Sequence, residues 1–239
     1  MVGELGLSGT GGGALDPALI QLIAASLAFV GTHFAMSHPL RPWLMKLGQN
    51  GFMAAYTLVS LATFVWMVLA FKAAPPGDLG GSGEIGWLLA TLLTLPALVL
   101  LIGSLTPGNP AMPTPGAAAA ARAAPKGVFR VTRHPMMWSF ALWAVSHILL
   151  WWSWRTNVIG LAILILALLG AHLQDRKKRA LMGEDWKAWD VHTSYWPRWT
   201  RLAGAGARIW VAGIVLWALL SWVHLPLAGI PAGLWRWEG

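Results

Sequence analysis

Six apolar runs set the limits on what this chain can become. They cover residues 17–36, 51–71, 85–103, 135–152, 157–172 and 209–224. A bilayer-crossing helix needs roughly 20 mostly apolar residues. In lipid the backbone must satisfy its own hydrogen bonds, so runs of this kind become helices. Charged residues make up 11% of the chain, well below the quarter or so usual for soluble domains. The sequence therefore predicts an all-α, polytopic bundle of about six transmembrane helices. Residues 1–16 form a glycine-rich lead, 17–224 a single transmembrane domain, and 225–239 an interfacial tail. The lead carries no Lys or Arg, so it lacks the basic start of a signal peptide and is expected to precede an uncleaved first helix.

Charge fixes the expected orientation. The segments 37–50, 105–134 and 173–208 hold fourteen of the seventeen Lys and Arg residues. Basic loops stay on the cytoplasmic side, which predicts both termini outside. The same placement argues against nucleic acid as the partner of the net charge of +8, because the cations sit in short loops between apolar runs. The chain has no cysteine, which excludes disulfides, thiolate metal sites and cysteine nucleophiles. Trp87, Trp151, Trp152, Trp154, Trp210, Trp235 and Trp237 fall near helix ends, as interfacial belts do. Pro96 is expected to kink the third helix. Gly31 and Ala35 on the first helix, and Gly160, Ala167, Gly170 and Ala171 on the fifth, are read as packing positions. The alanine run 117–124, flanked by prolines, is read as low-complexity loop.

Ionisable groups at membrane depth are costly and usually functional. His147 lies twelve residues after Pro135, about 18 Å into its helix at 1.5 Å per residue. It shares a face with Ser139 and Trp143. His33 lies three residues before the end of the first run. His134 stands at a helix start beside Arg130 and Arg133, where an anion such as a phosphate, carboxylate or haem propionate would be favoured. His38, His172, His192 and His224 are expected in solvated loops or helix ends. Two buried imidazoles on different helices, with no buried carboxylate expected nearby, suit a b-type haem. The acids lie almost wholly in loops, which disfavours a di-iron site or a Ser-His-Asp hydrolase.

Three stretches carry a family resemblance. Residues 31–71, GTHFAMSHPLRPWLMKLGQNGFMAAYTLVSLATFVWMVLAF, and 127–150, GVFRVTRHPMMWSFALWAVSHILL, are the first two. The third is 170–197, GAHLQDRKKRALMGEDWKAWDVHTSYWP. Together they resemble the NnrU family and its plastid relative, 15-cis-zeta-carotene isomerase. The resemblance implies a multi-pass protein of the bacterial inner membrane that binds haem b, with His33 and His147 as iron ligands. It also implies either a role in denitrification, beside a respiratory nitrite or nitric oxide reductase, or haem-dependent cis-trans isomerisation of a polyene or isoprenoid. A further isomerase histidine falls on Leu166. His33 is expected near the cytoplasmic face and His147 beyond the middle, so His33 with His134 is a second pairing.

A different class also offers a resemblance. Arg133-His134-Pro135, followed by Asp175, Gly183, Trp186, Trp189 and Pro197, is similar to the C-terminal motif of isoprenylcysteine carboxyl methyltransferases and phospholipid methyltransferases. That implies S-adenosylmethionine as cofactor. Here Asp175 stands where that motif has Glu, and Trp186 and Trp189 where it has tyrosines.

Overall fold

The computed structural model describes residues 15–77, 83–112 and 114–238. The expected lead 1–16 lies outside them except for its last two residues. Every regular element among the described residues is helical. The α-helices are α1 (Pro17–Ser37), α2 (Arg41–Leu44), α3 (Gly48–Ala73), α4 (Glu84–Ser104), α5 (Ala117–Arg122), α6 (Pro135–Leu150), α7 (Trp154–Met182), α8 (Glu184–His192) and α9 (Ala207–Ala228). Each of the six apolar runs forms one of the longer helices.

Local chemistry starts and stops these elements. Asp16 accepts a hydrogen bond from the Ala18 amide at 2.8 Å, and Pro17 occupies the first turn of α1. This is the ordinary use of a side-chain cap and an N-terminal proline. Ser153 caps α7 in the same way, through the Thr156 amide. Among the described residues, five helices are long and apolar enough to cross a membrane: α1, α3 together with the turn before it, α4, α7 and α9. Their outward faces carry large apolar side chains, including Leu58, Leu61, Phe64 and Leu69 on α3, a surface that lipid covers. The sixth, α6, has 16 residues, about 24 Å of helix against a hydrocarbon core of about 30 Å.

The long helices stand in a row. α3 packs on α1, α1 on α7, α7 on α6, α6 on α4, and α4 on α9. Phe29 and Phe64 join α1 to α3, with ring centres 5.8 Å apart. Small residues set the closest approaches. A Cβ on Gly160 would lie 2.6 Å from Ile148 of α6, and one on Gly103 would lie 2.3 Å from Val128. Ala167 and Ala171 are buried as expected. Gly31 is not a packing site: it is exposed, with nothing within 4 Å of a Cβ.

Two apolar cores result. One joins α1, α3 and α7 through Leu22, Ala25, Phe29 and Met67. The other lies under the end of the bundle that carries most of the basic residues, the basic end. It gathers Val99, Leu100, Val128, Phe129, Trp186 and Trp189. The alanine run forms α5 rather than loop, consistent with the helix propensity of alanine, and buries Ala121 in this second core. α7 extends ten residues past its apolar stretch, from 173 to 182. That polar extension carries the side chains that close the basic end. Trp87 is buried rather than interfacial, covered by Arg236 at 4.2 Å. The tail folds back, with the Trp235 indole donating to the Ala218 carbonyl at 3.0 Å.

Candidate functional site

The segment Thr132-Arg133-His134-Pro135 meets residues 194–198 side by side. The Arg133 amide donates to the Ser194 carbonyl at 2.8 Å, and the Arg198 amide to the Val131 carbonyl at 2.9 Å. The Thr132 hydroxyl donates to the Tyr195 carbonyl at 2.8 Å, and the Trp138 indole donates to that carbonyl too. The Tyr195 hydroxyl reaches back to the Leu168 carbonyl of α7 at 2.7 Å. Pro135 opens α6, so the preceding Arg133 and His134 are held at the helix start, aimed at the polar extension of α7.

There they meet Asp175. The Arg133 guanidinium donates to it through Nε and Nη2, at 2.9 and 2.7 Å. The His134 Nε2 lies 2.8 Å from its other oxygen. Arg133 Nη1 pairs with Asp190 of α8 at 3.0 Å, and Asp190 also receives Arg179 at 2.6 Å. Arg133, His134 and Asp175 are all buried. Asp175 lies beyond the apolar stretch of α7. Burial alone would raise its pKa, but the hydrogen bonds from His134 and Arg133 outweigh it and hold the carboxyl down to about 2.

This clasp is closed. Two guanidiniums face two carboxylates, and both nitrogens of His134 are engaged, the second by Gln174 at 3.2 Å. The anion that sequence reasoning sought beside Arg133 is supplied from within the chain. Arg130 is exposed and outside the clasp. Asp175 is the residue that sequence reasoning missed as a partner, having expected no buried carboxylate. The available signal was an aspartate within the helix that follows an apolar run. The methyltransferase motif also takes a different place here. Trp186 and Trp189 are fully buried in the core beneath the clasp.

His33 and His147 lie apart. His33 neighbours Phe34, which meets Gly170 of α7, while Ile148 beside His147 meets Gly160. Ten residues of α7 separate those levels, about 15 Å along the axis. Their rings also look in different directions. His33 faces Phe29 and Tyr56 of α3, at 4.4 and 5.4 Å between ring centres. His147 stacks on Trp143 at 4.3 Å and faces His224 of α9 at 6.5 Å. Bonds from imidazole nitrogen to a metal are about 2 Å long, so His33 and His147 do not fit one iron. His33 does not pair with His134 either, since both His134 nitrogens are engaged, by Asp175 and Gln174.

The histidine beside His147 is His224, exposed near the end of α9 as sequence reasoning expected, with ring centres 6.5 Å apart. Nδ1 of His147 lies 2.8 Å from the Trp143 carbonyl, and Nδ1 of His224 lies 2.6 Å from the Leu220 carbonyl. A carbonyl can only accept, so Nδ1 is the donor in each of these hydrogen bonds. That is the arrangement of metal-binding histidines with a backbone carbonyl behind them. Two coaxial imidazoles on one metal would have ring centres about 6 Å apart, from two bonds of about 2 Å plus the ring radii. The ring centres of His147 and His224, 6.5 Å apart with planes inclined by 34°, are close to that spacing. Among the described residues, no cluster of three or more His, Cys, Asp or Glu could hold a metal ion, so a guest here would have to bring its remaining ligands, as a porphyrin does.

No curated protein and no solved structure matches the chain. The family described as NnrU protein matches residues 21–232, nearly the whole chain and all six long helices. The Arg-His-Pro clasp, its Asp175 partner and the histidine pair all fall within that match. This multi-helix membrane protein belongs to the NnrU family.

Proposed function

We propose that this protein is a haem-b-binding protein of the bacterial inner membrane that supports nitrite and nitric oxide reductase chemistry in denitrification. The observation that carries the reading is the His147–His224 pair, two imidazoles on separate helices with free Nε2 atoms and ring centres 6.5 Å apart. These two side chains would hold the iron. When bound, haem would supply one-electron chemistry or a site for nitric oxide. The residues of this chain fix the imidazole tautomers through Trp143 and Leu220. The bundle places the pair away from the basic end, towards the turn between α6 and α7. By the positive-inside rule, that is the non-cytoplasmic side.

Leu166, in the position of a further isomerase histidine, packs against the Leu19–Met67 core. Nothing at that position favours the isomerase reading over respiratory support. The test is a reduced-minus-oxidised visible spectrum of protein purified after expression with ample haem, joined to nitrite and nitric oxide consumption by cells lacking the chain. A Soret band together with slowed nitrogen-oxide turnover is the expected result. A protein without a Soret band, or cells with unchanged turnover, would refute the proposal.

A further inference from the structure

At the basic end, away from both the clasp and the histidine pair, a groove of about 680 Å³ opens between the α1–α2 corner and α7. Its polar wall is His38, Arg41, Arg176 and Lys177. Its apolar wall includes Phe34 and Leu173. Arg133, Arg179, Arg122 and Arg236 each have a carboxylate partner. Arg41, Arg176 and Lys177 have none among the described residues. Like charges gathered around one groove repel one another, and that cost is relieved by an anion. His38, in the loop after α1, reports the local field. Its pKa is pushed below the ordinary value by burial and then by the charges of Lys177, Arg176 and Arg41. The neighbouring Lys178 is turned away, donating to the Pro110 carbonyl at 2.8 Å.

The groove lies where α1 ends and α7 changes from apolar to basic, the level at which lipid headgroups meet a spanning helix. Its two walls suit an amphiphile with an anionic head, and basic pockets between helices on the cytoplasmic side bind such heads. We infer that this groove is a binding site for the phosphate headgroup of an anionic lipid, held by Arg41, Arg176 and Lys177, with the acyl chain against Phe34 and Leu173. Neither the haem proposal nor the clasp requires this site.

Native mass spectrometry and thermophoresis of the full chain in neutral detergent test it, with phosphatidylglycerol, phosphatidylcholine and inorganic phosphate as separate probes. Saturable binding of one phosphatidylglycerol, at least tenfold tighter than phosphatidylcholine and than inorganic phosphate, is expected. The double variant Arg176→Gln/Lys177→Gln should weaken it at least tenfold. So should Arg41→Gln, which sits on a different element and keeps the test open if the double variant misfolds. Lys187→Gln, an exposed control, should leave it unchanged. Equal binding of both lipids, inorganic phosphate binding as tightly as phosphatidylglycerol, or undiminished binding in Arg41→Gln would each overturn the assignment.

Discussion

The clasp at the basic end buries Arg133, His134 and Asp175, whereas the histidine pair towards the other end sets the half-buried His147 beside the exposed His224, and the two stand in opposite chemical states. In the clasp every donor meets an acceptor: Arg133 meets Asp175 and Asp190, and His134 meets Asp175 and Gln174. In the pair, each imidazole is satisfied on one side only, by a carbonyl of its own helix. A closed network fixes structure, and imidazoles bonded on one side only leave room for a guest. The Arg-His-Pro motif, the most conspicuous chemistry in the sequence, is therefore the structural element of this fold. The functional reading rests on the plainer histidines.

That contrast can be broken at several points. The largest effect is expected for Asp175→Asn, which leaves a buried guanidinium facing a neutral amide. Removing one member of a buried pair costs about 3–5 kcal/mol, and a thermal unfolding curve in detergent should show it. His147→Ala should leave unfolding far less changed. If the two variants melt alike, the clasp does not hold the fold. Next is Gly103→Ala, whose added methyl would sit 2.3 Å from Val128 beneath the clasp. Overpacking of this kind costs about 1–3 kcal/mol. Pairing it with Val128→Ala should restore part of the loss, and no recovery in the double variant would disprove the contact. Asp190→Asn should cost only about 1 kcal/mol, because its side chain is partly solvated and Asp175 keeps Arg133 paired.

Acid gives the smallest effect near neutrality and a definite sign. The Asp175 pKa is depressed in the folded protein, from 3.8 to about 2. Its contribution to stability is fully present above the unfolded value and is lost as pH falls from there towards about 2. A melting temperature that responds to Asp175→Asn at pH 6 should respond much less near pH 2. An Asp175→Asn effect independent of pH would show that the carboxylate charge is irrelevant.

Much of the fold was legible because lipid imposes a simple rule, about 20 apolar residues per span: all six runs became helices, five of them long enough to cross, while α6 stopped at 16 residues. What stayed hidden depends on tertiary contact. Arg133 and Asp175 are 42 residues apart, and no local pattern links them. α7 looked as if it ended at His172 because its apolar run ends there, yet the helix continues as a polar rod into the clasp. Trp186 and Trp189 read as motif positions, but α8 is short and turns both indoles into the core. His224 read as a solvated helix-end residue and is exposed; its nearness to His147 stayed hidden, because only the packing of α9 against α4 brings the two together. His33 and His147, joined through the family resemblance, stand on opposite flanks of α7 because the helices form a row rather than a ring.

The most direct test compares the electronic and paramagnetic resonance spectra of haem-loaded wild type with those of His33→Ala, His147→Ala and His224→Ala. With iron held between α6 and α9, the two latter variants lose the six-coordinate low-spin signal and His33→Ala retains it. Loss of that signal in His33→Ala, with His224→Ala unchanged, would contradict the account.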